Sequence, residues 1–251
     1  KDFPLQLPAI PGKDLSGTVR AVGNEVRNFA PGDRVIAMTE ATYAELVAVP
    51  ASSLTRLPDG LDPVDAAALP LACLTGEQLV RLHTRAEAGQ FILVTGALGS
   101  VGRAAVHAAK ATGARLIAGV RGRQAAEAEA LDVFRVLALD DDAAIADLEP
   151  LDGVADTLGG EVAATLIARV RKGGRFGYAS VLPEGLAARH PGIEIGRVFA
   201  RPDPERLRGF AEDARDNRFV LPVSRRLPLG EAREAHDAME KGGGGKIVLT
   251  V

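Results

Sequence analysis

The feature that most constrains the fold is an apolar segment leading directly into a glycine-rich turn, F-I-L-V-T-G-A-L-G-S-V-G at residues 91–102. The spacing is a variant of the dinucleotide-binding turn, with Ala97 in place of its first glycine. A short apolar run precedes the turn and a longer alanine-rich run follows it. We therefore predict a buried strand at 91–95 and a helix at 100–112.

Each part of this turn has a predicted role. Gly99 would let the backbone approach a pyrophosphate that a Cβ would block, and Gly102 would let the helix pack closely on the strand. The first N–H groups of the helix would point at the phosphates, and the residues beside them are Leu98, Ser100 and Val101. The alternative is a structural glycine turn in an unrelated α/β protein, but the strand before the turn and the β-α units after it favour a dinucleotide site.

Strands and helices alternate beyond the turn. Strands are predicted at 91–95, 115–120, 135–138, 153–157, 175–179 and 193–199, with helices at 100–112, 124–131 and 161–170. Continuous apolar strands separated by helices form a parallel sheet that is covered on both faces. The predicted fold class is therefore α/β, with a doubly wound parallel sheet.

The flanking regions have a different pattern. The first 60 residues predict a small β-barrel or sandwich, because short alternating runs lie between glycines and prolines, at 15–22, 33–37 and 43–49. Asp62 followed by Pro63 predicts a helix start, and 71–83 a second helix. The chain after Pro202 predicts a helix, an extended segment, a helix and a strand, at 204–217, 220–227, 229–241 and 246–250.

Composition excludes several classes of function. With 30 basic and 33 acidic side chains, the net charge of −3 gives no electrostatic footprint for nucleic acid or an anionic membrane. No apolar run approaches the roughly 18 residues of a membrane helix. The single cysteine, Cys73, excludes an intrachain disulfide and a four-cysteine zinc site. These features predict a cytoplasmic protein without nucleic-acid or membrane partners.

The end of the second strand predicts the type of dinucleotide. An NAD-preferring site places Asp or Glu there for the ribose hydroxyls, but no acid occurs between Gly102 and Glu127. Arg121, Gly122 and Arg123 stand there instead, and a guanidinium suits a 2′-phosphate. We therefore predict NADP(H), while the alternative is that both arginines are solvated turn residues.

At this point the sequence resembles the quinone oxidoreductases of the medium-chain dehydrogenase/reductase superfamily, the group that includes zeta-crystallin. The resemblance covers nearly the whole chain, because the matching motifs follow one another in the family's order. They are Pro11-Gly12-x-Asp14-x-x-Gly17-x-Val19 with Val22-Gly23, Pro31-Gly32-Asp33-Arg34-Val35, Thr42-Tyr43-Ala44-Glu45, Leu74-Thr75, Gly96-Ala97-x-Gly99-x-Val101-Gly102, Lys110-x-x-Gly113-Ala114, Asp156-x-x-Gly159-Gly160 and Gly245-Lys246.

The resemblance implies a GroES-like barrel domain joined to a Rossmann domain. The implied divisions are 1–73 for the first part of the GroES-like domain, 74–201 for the NADP-binding domain and 202–251 for the segment that completes the GroES-like domain. Thr75 would lie near the nicotinamide-side phosphate or ring. The rest of the cofactor groove would be lined by Leu158, Gly159, Tyr178, Ala179, Ser180 and Phe199. The strand near 193–199 would pair with a second copy to form a homodimer.

The chain differs from members of this superfamily in three places. Zinc-dependent relatives have a histidine where this chain has Lys13, and the four histidines lack ligand spacing, so no metal is expected. The family's first barrel segment is missing, so the barrel is expected to be incomplete at its N-terminus. The loop near Met38–Ala41 is also shorter than the family's.

The predicted function is NADPH-dependent, zinc-independent hydride transfer to a quinone or a similar electron-poor acceptor. A second possibility is an enoyl or alkenal double-bond reductase on the same scaffold, and a third is a cofactor-binding structural or RNA-binding protein with little turnover. Tyr43 is the candidate proton donor within the chain, although its T-Y-A-E context is more typical of a structural strand residue.

Overall fold

The computed structural model describes residues 7–242 and 245–251. The chain forms two compact units. The first comprises Lys1–Leu74 and Arg201–Val251, and the second comprises Thr75–Ala200. Each unit is described below by itself.

The first unit begins with a three-stranded antiparallel sheet of β1 (Asp14–Thr18), β2 (Arg34–Met38) and β3 (Leu54–Arg56). The central strand β2 supplies the core of this sheet, since four of its five residues are buried. The strand predicted at 15–22 is shorter than expected, and the strand predicted at 43–49 is wrong. Residues 43–49 pair with no strand among the described residues, and Leu46 is 65% exposed.

Two helices follow. In α1 (Pro63–Ala67), the Asp62 side chain accepts hydrogen bonds from the N–H groups of Val64 and Asp65, as the cap-then-proline order predicted. The predicted helix at 71–83 is α2 (Pro70–Gln78), continued by a π-helical turn over Leu79–Thr84. The Arg85 N–H donates to the Val80 carbonyl at 2.7 Å, which closes that turn.

The second unit is a six-stranded, wholly parallel sheet. Its strands are β4 (Phe91–Thr95), β5 (Arg115–Val120), β6 (Arg135–Ala138), β7 (Leu151–Asp156), β8 (Val170–Tyr178) and β9 (Glu194–Arg197). Its helices are α3 (Ser100–Lys110), α4 (Ala125–Ala128), α5 (Asp142–Ala146), α6 (Gly160–Ile167) and α7 (Leu186–Arg189).

The strand order of this sheet is β6-β5-β4-β7-β8-β9, which is the order of a doubly wound dinucleotide-binding sheet. Alternate residues of β4 point to opposite faces. Ile92 and Val94 lie in one buried cluster with α3 residues, and Leu93 lies in the other with α6 residues. Both faces are therefore covered, and the α/β prediction is confirmed. Successive strands are added on one side of β4 up to β6 and on the other side from β7 onward, so the strand order reverses between β4 and β7, where ligands of such folds bind.

The remaining elements belong to the first unit. They are α8 (Pro204–Arg215), β10 (Val223–Pro228), α9 (Ala232–Glu240) and β11 (Lys246–Thr250). Asp203 caps α8 through a bond from the Arg206 N–H, and β10 pairs with β11 in parallel. The pattern of helix, extended segment, helix and strand predicted for this part of the chain is present.

Candidate functional site

The carboxyl ends of β4 and β7 are tied together by a buried network around Asp156. Its carboxylate accepts hydrogen bonds from the Thr95 hydroxyl at 2.7 Å and from the Gly159 N–H at 2.8 Å. Burial raises the pKa of Asp156, while these donors oppose the rise. The Thr95 hydroxyl also accepts the Thr157 N–H at 2.9 Å. The two loops at the switch point therefore have one fixed geometry.

The predicted glycine turn lies between β4 and α3. Gly96 has a positive φ of 59°, and a Cβ there would lie 2.6 Å from the Thr157 hydroxyl. A Cβ on Gly102 would lie 2.0 Å from the Gly96 carbonyl oxygen. The first turn of α3 therefore packs directly on the backbone of the turn, which only glycine at residue 102 allows.

Gly99 differs from its two neighbours in the turn. It is the N-cap of α3, has an ordinary φ of −74° and is exposed. A Cβ there would meet only the Gly96 carbonyl oxygen, at 3.1 Å. Because Gly99 has no side chain, it supplies no cap to the first N–H groups of α3. An open glycine beside an uncapped helix N-terminus forms a cradle that fits an anion such as pyrophosphate.

Other predicted residues surround this cradle. Ser100 and Val101 begin α3, and Leu98 packs partly against the core beside it. Thr75 precedes Gly76, where a Cβ would lie 2.5 Å from the Val101 carbonyl oxygen. This close packing leaves no room for a side chain at residue 76, and it places Thr75 beside the first turn of α3.

The residues predicted after β7 and β8 also come together. A Cβ on Gly159 would lie 3.0 Å from the Ser180 hydroxyl, and the Ala179 N–H donates to the Asp156 carbonyl at 2.8 Å. Leu158 is 47% exposed at this edge. Tyr178 ends β8, in register with Arg197 of β9.

Phe199 follows β9 and is 57% exposed, with the Arg197 guanidinium 5.1 Å from its ring centroid. The place of Phe199 in the predicted groove beside Leu158 and Ser180 stays a prediction.

Arg121, Gly122 and Arg123 lie at the carboxyl end of β5. Both arginines are exposed, and neither guanidinium forms an ion pair within the described part of the chain. The Gly122 N–H donates to the Asp140 carboxylate at 2.7 Å. No sequence signal pointed to Asp140, because it lies 18 residues from Gly122 along the chain and only strand pairing brings the two together.

Asp141, the next residue, is the N-cap of α5. Its side chain accepts the Ala143 and Ala144 N–H groups at 3.0 Å and caps α5. Asp141 before Ala143 and Ala144 was the available sequence signal, since Asp is a favoured N-cap residue.

A second group of polar residues lies in the first unit, around a cavity of about 1290 Å³. Tyr43 lies on its wall, with its hydroxyl 3.3 Å from the His236 Nε2. Burial raises the pKa of Tyr43, so the phenol stays protonated at neutral pH. The Asp14 carboxylate forms an ion pair with Lys246 at 3.0 Å and accepts the Leu71 N–H.

Two residues that line this cavity carry a buried hydroxyl without a partner in the described part of the chain. Ser16 Oγ and Thr42 Oγ1 are buried and have no hydrogen-bond partner among the described residues, although both residues line the cavity. Lys13 forms an ion pair with Glu40. Residues 7–242 and 245–251 contain no group of three or more His, Cys, Asp or Glu side chains that could hold a metal ion.

Comparison with known proteins gives matches over both units. Residues 2–59 match the alcohol dehydrogenase GroES-like domain, and residues 136–249 match the family described as zinc-binding dehydrogenase. The quinone oxidoreductase of Mus musculus is 27% identical over 97% of this chain and 80% of its own length. The structure of the quinone oxidoreductase from Coxiella burnetii superposes with a TM-score of 0.89 at 27% identity, covering 98% of this chain and 80% of that one.

Similarity also extends to segments of much larger proteins. The polyketide synthase GfsB of Streptomyces halstedii is 33% identical over 97% of this chain, and the chain spans 5% of that synthase. The part of the chain that the structure describes contains no helix long and apolar enough to cross a membrane.

Proposed function

Because the chain belongs to the quinone oxidoreductase-like family of the medium-chain dehydrogenase/reductase superfamily, whose members are NAD(P)-dependent oxidoreductases, we propose that it transfers hydride from NADPH to a quinone or a similar electron-poor acceptor. The observation that carries the proposal is the open Gly99 beside the uncapped N-terminus of α3, at the switch point of the sheet. The bound cofactor would supply the hydride, and the protein supplies its position and surroundings.

We propose that three groups of residues in the second unit bind the cofactor. The N–H groups of the segment from Gly99 to Gly102 would bind the pyrophosphate. Arg121 and Arg123 would bind the 2′-phosphate, since both guanidinium groups are exposed and unpaired within the described chain. The nicotinamide side would be bordered by Thr75. Leu158, Gly159, Tyr178, Ala179, Ser180 and Phe199 would line the rest of the groove.

The acceptor would bind in the cavity of the first unit. Ser16 and Thr42 line this cavity, and their buried hydroxyls have no hydrogen-bond partner among the described residues. We propose zinc-independent chemistry because Lys13 replaces a histidine ligand and pairs with Glu40. A quinone suits such a site, since it accepts hydride without a Lewis acid. Tyr43 remains the candidate proton donor.

An enoyl or alkenal reductase is the second candidate, favoured by the 33% identity to a segment of a polyketide synthase. A steady-state panel of NADPH oxidation with quinones, enones and 2-alkenals separates the candidates. We expect the quinones to give the highest kcat/KM. A preference for enones or alkenals would favour the second candidate. Tight NADPH binding without oxidation by any acceptor would contradict both, and would favour a binding protein with little turnover.

The proposal extends to the oligomeric state of the protein and to its location in the cell. We propose a homodimer formed through β9, because this strand is at the edge of the described sheet. We further propose a cytoplasmic protein without a nucleic-acid partner, since the net charge is −3 and the one cysteine, Cys73, is buried.

A further inference from the structure

An acidic side chain, that of Asp140, lies at the adenosine end of the proposed cofactor site. Asp140 follows β6, a strand that the sequence pattern did not connect with this site. The Leu139 N–H donates to the carbonyl of Val120, the last residue of β5, at 2.7 Å, which continues the β5–β6 pairing one residue beyond β6. Asp140 therefore lies beside Gly122. Its Oδ1 accepts the Gly122 N–H at 2.7 Å.

Both oxygens of this carboxylate face the turn between the two arginines. A Cβ on Gly122 would lie 3.3 Å from Asp140 Oδ1 and 3.9 Å from Oδ2. Yet no ion pair joins Asp140 to Arg121 or Arg123 within the described residues, and all three side chains are exposed. The carboxylate thus keeps acceptor capacity and negative charge at the end of β5.

This is the place where an acid accepts the ribose 2′-hydroxyl in NAD-preferring sites. We infer that Asp140 is a specificity-determining residue, which accepts the ribose hydroxyl of NADH and opposes the 2′-phosphate of NADPH. Arg121 and Arg123 attract that phosphate, so the chain uses both cofactors with a moderate preference for NADPH. The inference rests on the proposed cofactor site.

The test is isothermal titration calorimetry of the whole chain with ADP-ribose and 2′-phospho-ADP-ribose. Asp140→Asn removes the charge but keeps an oxygen that can accept the Gly122 N–H. We expect it to shift the ratio of the two Kd values toward the 2′-phosphate by about fivefold or more. Fivefold corresponds to about 1 kcal/mol, the interaction of one charge pair at about 4 Å in water.

The matched control is Asp142→Asn, which removes the same charge two residues further along the chain. We expect it to change the ratio less than about twofold, since screened surface charges act weakly beyond their close neighbours. If Asp140→Asn fails to fold, Asp140→Ser also removes the charge while keeping a short side chain with an oxygen.

The outcomes separate the two proposals. If the unmodified chain binds both nucleotides but Asp140→Asn leaves the ratio unchanged, or Asp142→Asn shifts it equally, the role of Asp140 is overturned and the cofactor site stands. If the unmodified chain binds neither nucleotide, the cofactor site fails, and the role of Asp140 fails with it.

Discussion

The three glycines of the turn differ in what surrounds them, since two are tightly packed and the third is exposed. Gly96 and Gly102 are required by the fold, because a Cβ at either residue would lie within 2.6 Å of a neighbouring atom. Gly99 has an ordinary φ, and a Cβ there would make one tight contact, 3.1 Å from the Gly96 carbonyl oxygen. The fold therefore constrains residue 99 less than residues 96 and 102, whereas a phosphate close to the backbone would favour glycine there.

Arg121 provides a test of the preferred cofactor. We expect Arg121→Ala to raise the KM for NADPH by about tenfold or more, because a hydrogen bond to a charged group contributes about 1.5–3 kcal/mol. The KM for NADH should change little, since NADH has no 2′-phosphate. Steady-state kinetics with both cofactors measures the difference.

The control for this variant lies at the other end of the same strand. Arg115 is an exposed arginine at the start of β5, with its guanidinium 5.3 Å from the Phe91 ring centroid. Arg115→Ala should leave the NADPH-to-NADH ratio of KM values unchanged. Equal effects of Arg121→Ala on both cofactors would contradict the assignment.

The sequence could predict local chemistry at these positions but not proximity through the sheet. The glycines lie within one short stretch of the sequence and the arginines within another, so each pattern could be recognised without the structure. Asp140 is 18 residues from Gly122, and only strand pairing brings the two together. The sequence has no acid between Gly102 and Glu127, but the fold brings Asp140 beside Gly122.

At the scale of elements, the Thr95–Asp156 bond joins the ends of β4 and β7. Thr95→Val would remove the hydroxyl donor to a buried carboxylate and the acceptor of the Thr157 N–H. We expect the free energy of unfolding to fall by about 1–3 kcal/mol, the cost of leaving buried polar groups unpaired. Urea unfolding measures it. Thr165→Val is the control, because that exposed hydroxyl bonds only within α6, and its effect should be small.

The same network predicts a direction for pH dependence. Burial raises the folded-state pKa of Asp156 above its ordinary value of 3.8. The folded chain then holds this proton at pH values where the unfolded chain has released it. The contribution of Asp156 to stability is therefore fully present below pH 3.8 and is lost as the pH rises through the folded-state pKa. In Thr95→Val the loss should extend to higher pH, because one donor to the carboxylate is gone.

Elements with a strong pattern were predictable, and those that depend on tertiary partners were not. The β4–α3 pair has an apolar run, a glycine turn and a long helix, and its predicted strand matches the observed one. The strand expected at 43–49 has the right alternation but no pairing strand among the described residues. Helix α5 has only five residues, too few for periodicity to reveal, although Asp141 provides its cap.

At the scale of the whole molecule, the family resemblance rested on many short motifs in one order, and the matches over residues 2–59 and 136–249 agree with it. Such order fixes the fold and the cofactor class, because the cofactor is held mainly by backbone geometry. It does not fix the acceptor, since fold does not determine substrate. We propose that the side chains around the cavity of the first unit select the acceptor.

The central claim is that the chain transfers hydride from the nicotinamide C4 to an electron-poor acceptor. Its most direct test is single-turnover oxidation of NADPH deuterated on one or the other face of C4, with the best acceptor of the panel. The account predicts that one isotopomer reacts more slowly and the other reacts at the unlabelled rate, because the site holds the ring in one orientation. Equal rates for both isotopomers, or no oxidation with any acceptor, would contradict it.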